Sequence, residues 1–298
     1  MIITSENLRA LRTGFNASFQ RALGAATSMQ ARVATPVPST TKSNTYGWMG
    51  KIPGMREWVG PRQIMSLSES GYVIVNKPYE QTIGVDRDDI EDDNLGIYAP
   101  LFSELGEGVA AHPDILVFSL LKNGFTTECF DGQNFFDTDH PVIGDDGETV
   151  GVYANTDGGA TTPWFLLSTR RVLKPLIFQE RKKPQFVALD NPDDPNVFHN
   201  KQYLYGTDAR WNVGFGFPQM AWGSKQTLDA THYATARAAI SGFKGDGGRP
   251  LGLVPDLLVV PPSLESAGRK LLNSEYGAGG ETNEWKGTAE LLVVPWLA

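Results

Sequence analysis

Asp86, Asp88, Asp89, Glu91, Asp92 and Asp93 put six carboxylates among eight residues, and Asp137, Asp139 and His140 form a second group of donors. Hard cations bind such oxygens. The first group fails the calcium-loop pattern, because Ile90 stands where a ligand belongs and Glu91 where the turn needs glycine. In the second, His140 has no partner histidine at ligand spacing, since His112, His199 and His232 are scattered. Turn formation and helix capping are the better use of these aspartates, so no metal is expected. Cys129 has no activating neighbour in sequence. Residues 242–249, GFKGDGGR, lack the Gly-Lys-Ser/Thr ending that holds phosphates. Residues 276–282, YGAGGET, follow a helical pattern and not the strand that precedes a dinucleotide loop, and no G-x-S-x-G elbow occurs. No catalytic, cofactor-binding or metal residue is assigned, and catalysis is not expected.

Composition points away from the other common classes. At 298 residues, 41% hydrophobic and 20% charged, the chain can bury the core of one large domain or two smaller ones. A net charge of −8 gives no general grip on nucleic-acid phosphates. With 32 Gly and 19 Pro, about one residue in six turns the chain, as loops and short strands require. A single cysteine excludes an internal disulfide framework. No apolar run approaches the roughly 20 residues that cross a bilayer, and no signal peptide opens the chain. A soluble protein made inside the cell, with no membrane partner, is expected.

The acidic run opens an apolar pattern at helical spacing. Tyr98, Leu101, Phe102, Leu105 and Val109 fall on one face. Carboxylates suit a helix start, and Lys122 and Gly124 suit the other end. The spacing predicts a helix between residues 95 and 122, roughly 40 Å long at about 1.5 Å per residue. Gly106 and Gly108 weaken it, and Pro113 should kink or briefly interrupt it. Residues 86–125 are therefore the spine of a flat molecule.

Residues 3–24 read as a second amphipathic helix, capped by Thr4 or Ser5, with Leu8, Leu11, Phe15, Phe19 and Leu23 on one stripe. It can pack on its own domain or on a neighbour. The Ser-, Thr-, Pro- and Gly-rich stretch 27–54, extended through 35–47, favours an arm that reaches a neighbouring subunit. Residues 48–85 read as a hairpin-like excursion in which Val73, Val75, Tyr79, Ile83 and Val85 share one parity. Pro78 assigns that strand to an edge or a bulge. Trp48 and Trp58 have little local core to enter, so they cover their own domain's edge or another subunit. Leu8, Leu11, Phe15, Phe19, Trp48, Trp58, Tyr72 and Tyr79 are the candidate intersubunit contacts.

Residues 126–225 are β-rich, with WFLL, PLIFQE, QFVAL, YLYG and ARWNVGFGFPQMAWG as strand-like runs. Between them KPQFVALDNPDDPN looks like an exposed loop. Residues 227–240 form a short Ala-rich helix capped by Thr227, and 242–250 a featureless loop. The run 256–260, DLLVV, is a fully buried strand. Pro262 and Ser263 start a helix carrying Leu264, Ala267, Leu271 and Leu272, and 290–294 is the last strand. Residues 226–298 thus make a compact α/β subdomain.

Six word-like segments carry a resemblance: LRTGFNASFQ, YGWMGKIPGMREWVG, DRDDIEDDNLGIYAPLF, FDGQNFFDTDHPV, YGTDARWNVGFG and GTAELLVVPWLA. In order and along the whole chain, they resemble the major head proteins of Mu-like phages and prophages. The resemblance implies an α+β, Hong Kong 97-type major capsid fold. Its parts would be an N-terminal arm (1–47), an extended β-hairpin loop (48–85) and a long spine helix of the peripheral domain (86–125). A β-rich region shared by the peripheral and axial domains (126–225) and the α/β part of the axial domain (226–298) would follow. It also implies hexamers and pentamers of one chain, an icosahedral virion head around double-stranded DNA, and synthesis in the bacterial cytoplasm. A portal, a scaffold or prohead protease, and a decoration protein are the partners such a shell implies. An encapsulin-like protein nanocompartment is the alternative. In either case function is geometry, with many weak contacts between copies.

Overall fold

Two 14-residue strands with alternating burial build the largest element. The computed structural model describes residues 2–47, 71–92, 95–143, 148–245, 248–277 and 279–298. In it β9 (Leu176–Leu189) and β10 (Gln202–Phe215) pair antiparallel and are joined through a short helix, α5 (Pro195–Asn200). The sheet runs β1 (Ala34–Pro38), β9, β10, β4 (Lys77–Asp86), with β1 parallel to β9 and β4 antiparallel to β10. Pro78 lies on the edge strand β4, where the lost N–H is tolerated. PLIFQE and QFVAL, separate on the sequence pattern, are one strand. The register slips between Asp208 and Arg210, so Lys183 and Pro184 form a bulge and the first half of the anticipated loop stays in the sheet.

Two helices cover one face of this sheet, α1 (Ser5–Ala25) and α4 (Tyr98–Lys122). Phe15 stacks on Phe102 at 4.3 Å and meets Tyr205 edge-on at 5.2 Å, and Phe19 lies 5.7 Å from Phe186. The helices meet at Gly106, where a Cβ would stand 2.4 Å from the Phe19 carbonyl oxygen and 3.0 Å from the Ala22 Cβ. Thr4 caps α1, accepting from the Asn7 N–H at 3.2 Å. This packing corrects the reaching-arm expectation. Leu8, Phe15 and Phe19 are buried, and Leu11 is half-buried, in the chain's own core. Burying each such side chain is worth roughly 1.5–3 kcal/mol, and the aromatic sheet face supplies the partner without the cost of holding a second chain.

The spine helix is unbroken over 25 residues, and Pro113 does not interrupt it. Val109, Val117, Phe118 and Leu121 hold both of its halves in the core. Asp114, beside the proline, is buried and accepts from Ser28 Oγ (2.8 Å), the Met29 N–H (3.0 Å) and the Gln30 N–H (2.7 Å). It thereby starts α2 (Gln30–Val33) and ties the α1–β1 connection to the spine. Leu101, counted in the apolar stripe, is 45% exposed; the buried arc passes through Tyr98, Phe102, Leu105, Gly106 and Val109 instead. At the acidic run, Asp86 caps α3 (Arg87–Glu91) by accepting from the Asp88 N–H at 2.8 Å, and Asp89 accepts from the Tyr98 hydroxyl at 2.5 Å.

The opposite face of the long sheet is met by a ribbon of β2 (Ser43–Tyr46) and β3 (Tyr72–Val75). The Tyr46 hydroxyl donates to Gln179 Oε1 at 2.7 Å, and Tyr46, Ile74 and Ile177 form a small core. Val73 and Val75 are exposed, against the shared parity anticipated with Val85, because β3 and β4 belong to different sheets. Residues 48–70, including Trp48 and Trp58, lie outside the described residues.

A second sheet has the order β13 (Glu290–Val293), β12 (Leu257–Val260), β8 (Trp164–Leu167), β11 (Ala221–Lys225), β7 (Thr156–Gly159). WFLL and LLVV are buried at every position because this sheet is covered on both faces. Phe165, Leu167, Leu257 and Val259 join the core beneath α4. Trp164, Leu166, Leu258 and Val260 join a second core with α6 (Ala230–Gly242) and α7 (Glu265–Asn273). Asp229, and not Thr227, caps α6, accepting from the His232 N–H at 2.9 Å. A separate ribbon pairs β5 (His140–Ile143) with β6 (Thr149–Tyr153).

Phe19→Ala should destabilise dilute, unassembled subunits by about 3–5 kcal/mol in chemical denaturation, as at other core phenylalanines. Unchanged subunit stability with failed assembly would restore the reaching arm.

Candidate functional site

Among the described residues one set of potential ligands converges, Cys129, Asp131 and His140, with donor atoms within 4.8 Å of one another. It is not the Asp137, Asp139 and His140 group that the sequence suggested. His140 turns to Asp131, Nδ1 to Oδ2 at 2.7 Å. The Cys129 thiol and the Gln133 N–H both donate to Asp131 Oδ1 at 3.1 Å, across a turn that Gly132 completes at φ +83. Asp137 instead accepts from Asn134 Nδ2 (3.0 Å) and the Thr138 N–H (2.7 Å), as a turn residue does. Burial alone would raise the Asp131 carboxyl, but the hydrogen bonds from His140 and Cys129 outweigh it and hold it below the usual carboxylate range. Burial, then the Asp131 charge, push the Cys129 thiol up, so it stays protonated at neutral pH and is no nucleophile. Both carboxylate oxygens already accept hydrogen bonds. Together these residues clamp the loop after α4 to the start of β5, and Tyr153 stacks on His140 at 4.9 Å.

The surfaces expected to meet other copies are mostly turned inward. Tyr72 is half-buried, and its hydroxyl accepts from the Phe215 N–H at 3.3 Å, fixing the ribbon to β10. Tyr79 packs edge-on against His112 at 4.4 Å and lies 6.1 Å from Trp211. With Gly108, Val109 and Thr207 these rings line a cavity of 130 Å³ between α4 and the β4–β10 edge. Trp211 Nε1 donates to His112 Nδ1 at 3.0 Å, and burial lowers the His112 pKa, keeping that lone pair available. Sequence reasoning missed the exposed apolar side chains: Val150 and Val152 on β6, Val187 and Leu189 on β9, and Phe198 on α5. The signal for β9 was present in FVAL, which is apolar on both parities where a half-solvated strand alternates.

The chain is a long helix laid on a long sheet, a ribbon packed on the other face and a second α/β lobe, and the converging donors among its described residues hold a loop in place. The chain shares this arrangement with solved phage capsid subunits. Over 99% of its length it superposes on the whole subunit in the procapsid of bacteriophage JBD30, with a TM-score of 0.87 and 46% identity. It also matches the subunit of the JBD30 capsid decorated with minor capsid protein trimers, at 35% identity and a TM-score of 0.77 over 94% of each chain. The major capsid protein of Escherichia phage Mu is 46% identical over 305 aligned residues, covering both chains completely. The chain belongs to the family of the Mu-like prophage major head subunit gpT, which it matches over residues 8–297. Its architecture is the α+β, Hong Kong 97-type fold that the resemblance implied, and its role is structural and not enzymatic. Likeness at this level sets the encapsulin-like alternative aside.

Because burial disfavours charged His112, the unfolded chain binds more protons than the folded one as pH falls from about 6.5, the ordinary histidine value, to the lowered folded one. Stability is therefore full above that pH and falls as pH drops through it. His112→Asn, which keeps an acceptor for Trp211, should flatten the melting temperature of dilute subunits between about pH 5 and 7. An unaltered slope would remove His112 as its cause.

Proposed function

We propose that copies of this chain assemble as hexamers and pentamers into an icosahedral head that encloses double-stranded DNA without sequence-specific contacts. The observation that carries this reading is full-length identity of 46% to the major capsid protein of phage Mu. The subunit is made in the host cytoplasm and acts with a portal and with a scaffold or prohead protease. A decoration protein is a further partner, by analogy with the minor capsid protein trimers of JBD30. The two cores support a peripheral part built on the long sheet and spine (86–125) and an axial part (226–298), with 126–225 contributing to both. Residues 1–47 serve as the N-terminal region, and 48–85 as the extended loop whose stem is the β2–β3 ribbon. Trp48 and Trp58, beyond that stem, remain the candidate residues for burial on a neighbour. A charge of −8 suits a container, since a strongly basic wall would hold its phosphate-rich content in place.

Purified full-length protein should form rings, tubes, sheets or closed shells by electron microscopy and should sediment as large species. A sharp monomer peak at high concentration, under several salt conditions, would count against the proposal.

A further inference from the structure

The two faces of the long sheet are treated unequally. One is covered from end to end by α1 and α4, which bury Phe178, Tyr203, Tyr205 and Trp211. The other is covered, among the described residues, only where the β2–β3 ribbon packs over Ile177 and Gln179. Beyond that end it carries a belt of charge, with Lys182 paired to Asp208 and with Glu80 and Arg210 alongside. Such polar residues are what a water-facing sheet surface requires.

At the far end the pattern breaks. Val187 is 48% and Leu189 54% exposed. Leu204 pairs with Leu189 on one side and Gly84 on the other, and Gly206 pairs with Val187 and Thr82. Gly206 among the large aliphatic residues leaves a shallow groove of 330 Å³, lined by Thr82, Val187, Leu189, Leu204 and Gly206. None of these residues is charged. A Cβ on Gly206 would stand 2.9 Å from the Gln81 carbonyl oxygen, so the floor of the groove is held flat.

We propose that this end of the long sheet is a contact face for a second copy of the chain, seated on Val187, Leu189 and Leu204. The inference rests on the capsid reading above and deepens it by naming a surface. Its small size favours that occupant. Three aliphatic side chains bury far less than the about 1,200 Å² that a stable isolated complex needs, so the contact is weak alone and effective when repeated around a shell. The mixed signs of Glu80, Lys182, Asp208 and Arg210 at its border suit the equally mixed surface of another copy and would orient it.

The test is Val187→Thr with Leu189→Thr, which places β-branched residues suited to a strand at both positions and cuts the apolar surface. Val172→Thr, in an exposed loop, is the control. The pair variant should melt, as dilute subunits, at the wild-type temperature and need at least tenfold more protein to assemble, while the control assembles normally. Assembly of the pair variant at the wild-type concentration overturns the proposal. So does a lowered subunit melting temperature, which would make the face internal. Normal shells that lose an added minor capsid protein would assign the face to that partner and also overturn it. If wild-type protein builds no shells, the capsid reading fails separately. The face is then read by sedimentation equilibrium at high concentration. Self-association of the wild type that the pair variant lacks supports the contact, and its absence in both overturns it.

Discussion

Phe102 is fully buried where three layers meet, 4.3 Å from Phe15 on α1 and 5.8 and 6.0 Å from Tyr205 and Phe186 on the long sheet. The spine must lie close enough to both neighbours for one side chain to touch each. Gly106, one turn along, permits that approach on the α1 side, because any larger residue would meet the α1 backbone. Once the helix is seated, its own polar groups fix the connections around it. Asp114 organises the α1–α2 turn, Tyr98 bonds to the acidic segment before it, and Lys122 donates to the Ala298 carbonyl at 2.8 Å. Pro113 is tolerated in this setting because tertiary burial, and not local hydrogen bonding alone, keeps the helix continuous.

The second sheet extends the same principle to the rest of the chain. Its central strands have no water-facing side, so alternate residues serve different cores. Burial of α4 on one face and of α6 and α7 on the other are therefore linked through side chains only one residue apart. The Cys129, Asp131 and His140 clamp lies on the path between them, tying the end of the spine to the β5–β6 ribbon. Chemistry that could have been reactive is used to hold a loop in place.

Much of this was legible in the residues. The apolar spacing of the spine, the Thr4 cap, the edge position of Pro78 and the continuous burial of LLVV follow from local periodicity and backbone restriction, which a sequence carries openly. What was hidden depends on partners distant in the chain. The stripe of Phe15 and Phe19 is equally good for a neighbour or for Tyr205 and Phe186, and the Ser-, Thr-, Pro- and Gly-rich stretch after it pointed to the neighbour. Asp114 looks like one more helix carboxylate until Ser28, 86 positions earlier, is brought to it. His140 was grouped with nearby aspartates, whereas Asp131 reaches it through a glycine turn that sequence spacing does not reveal.

The double-faced second sheet also bears on how such a chain can change over generations. Its wall draws strands from residues 156–159, 164–167, 221–225, 257–260 and 290–293. A hybrid of two relatives joined anywhere between the first and last of these would inherit part of the wall from each parent. Side chains shaped by two separate histories would then have to interlock on both faces at once. Exchange of the whole subunit avoids that demand, because both faces of the wall then come from one parent.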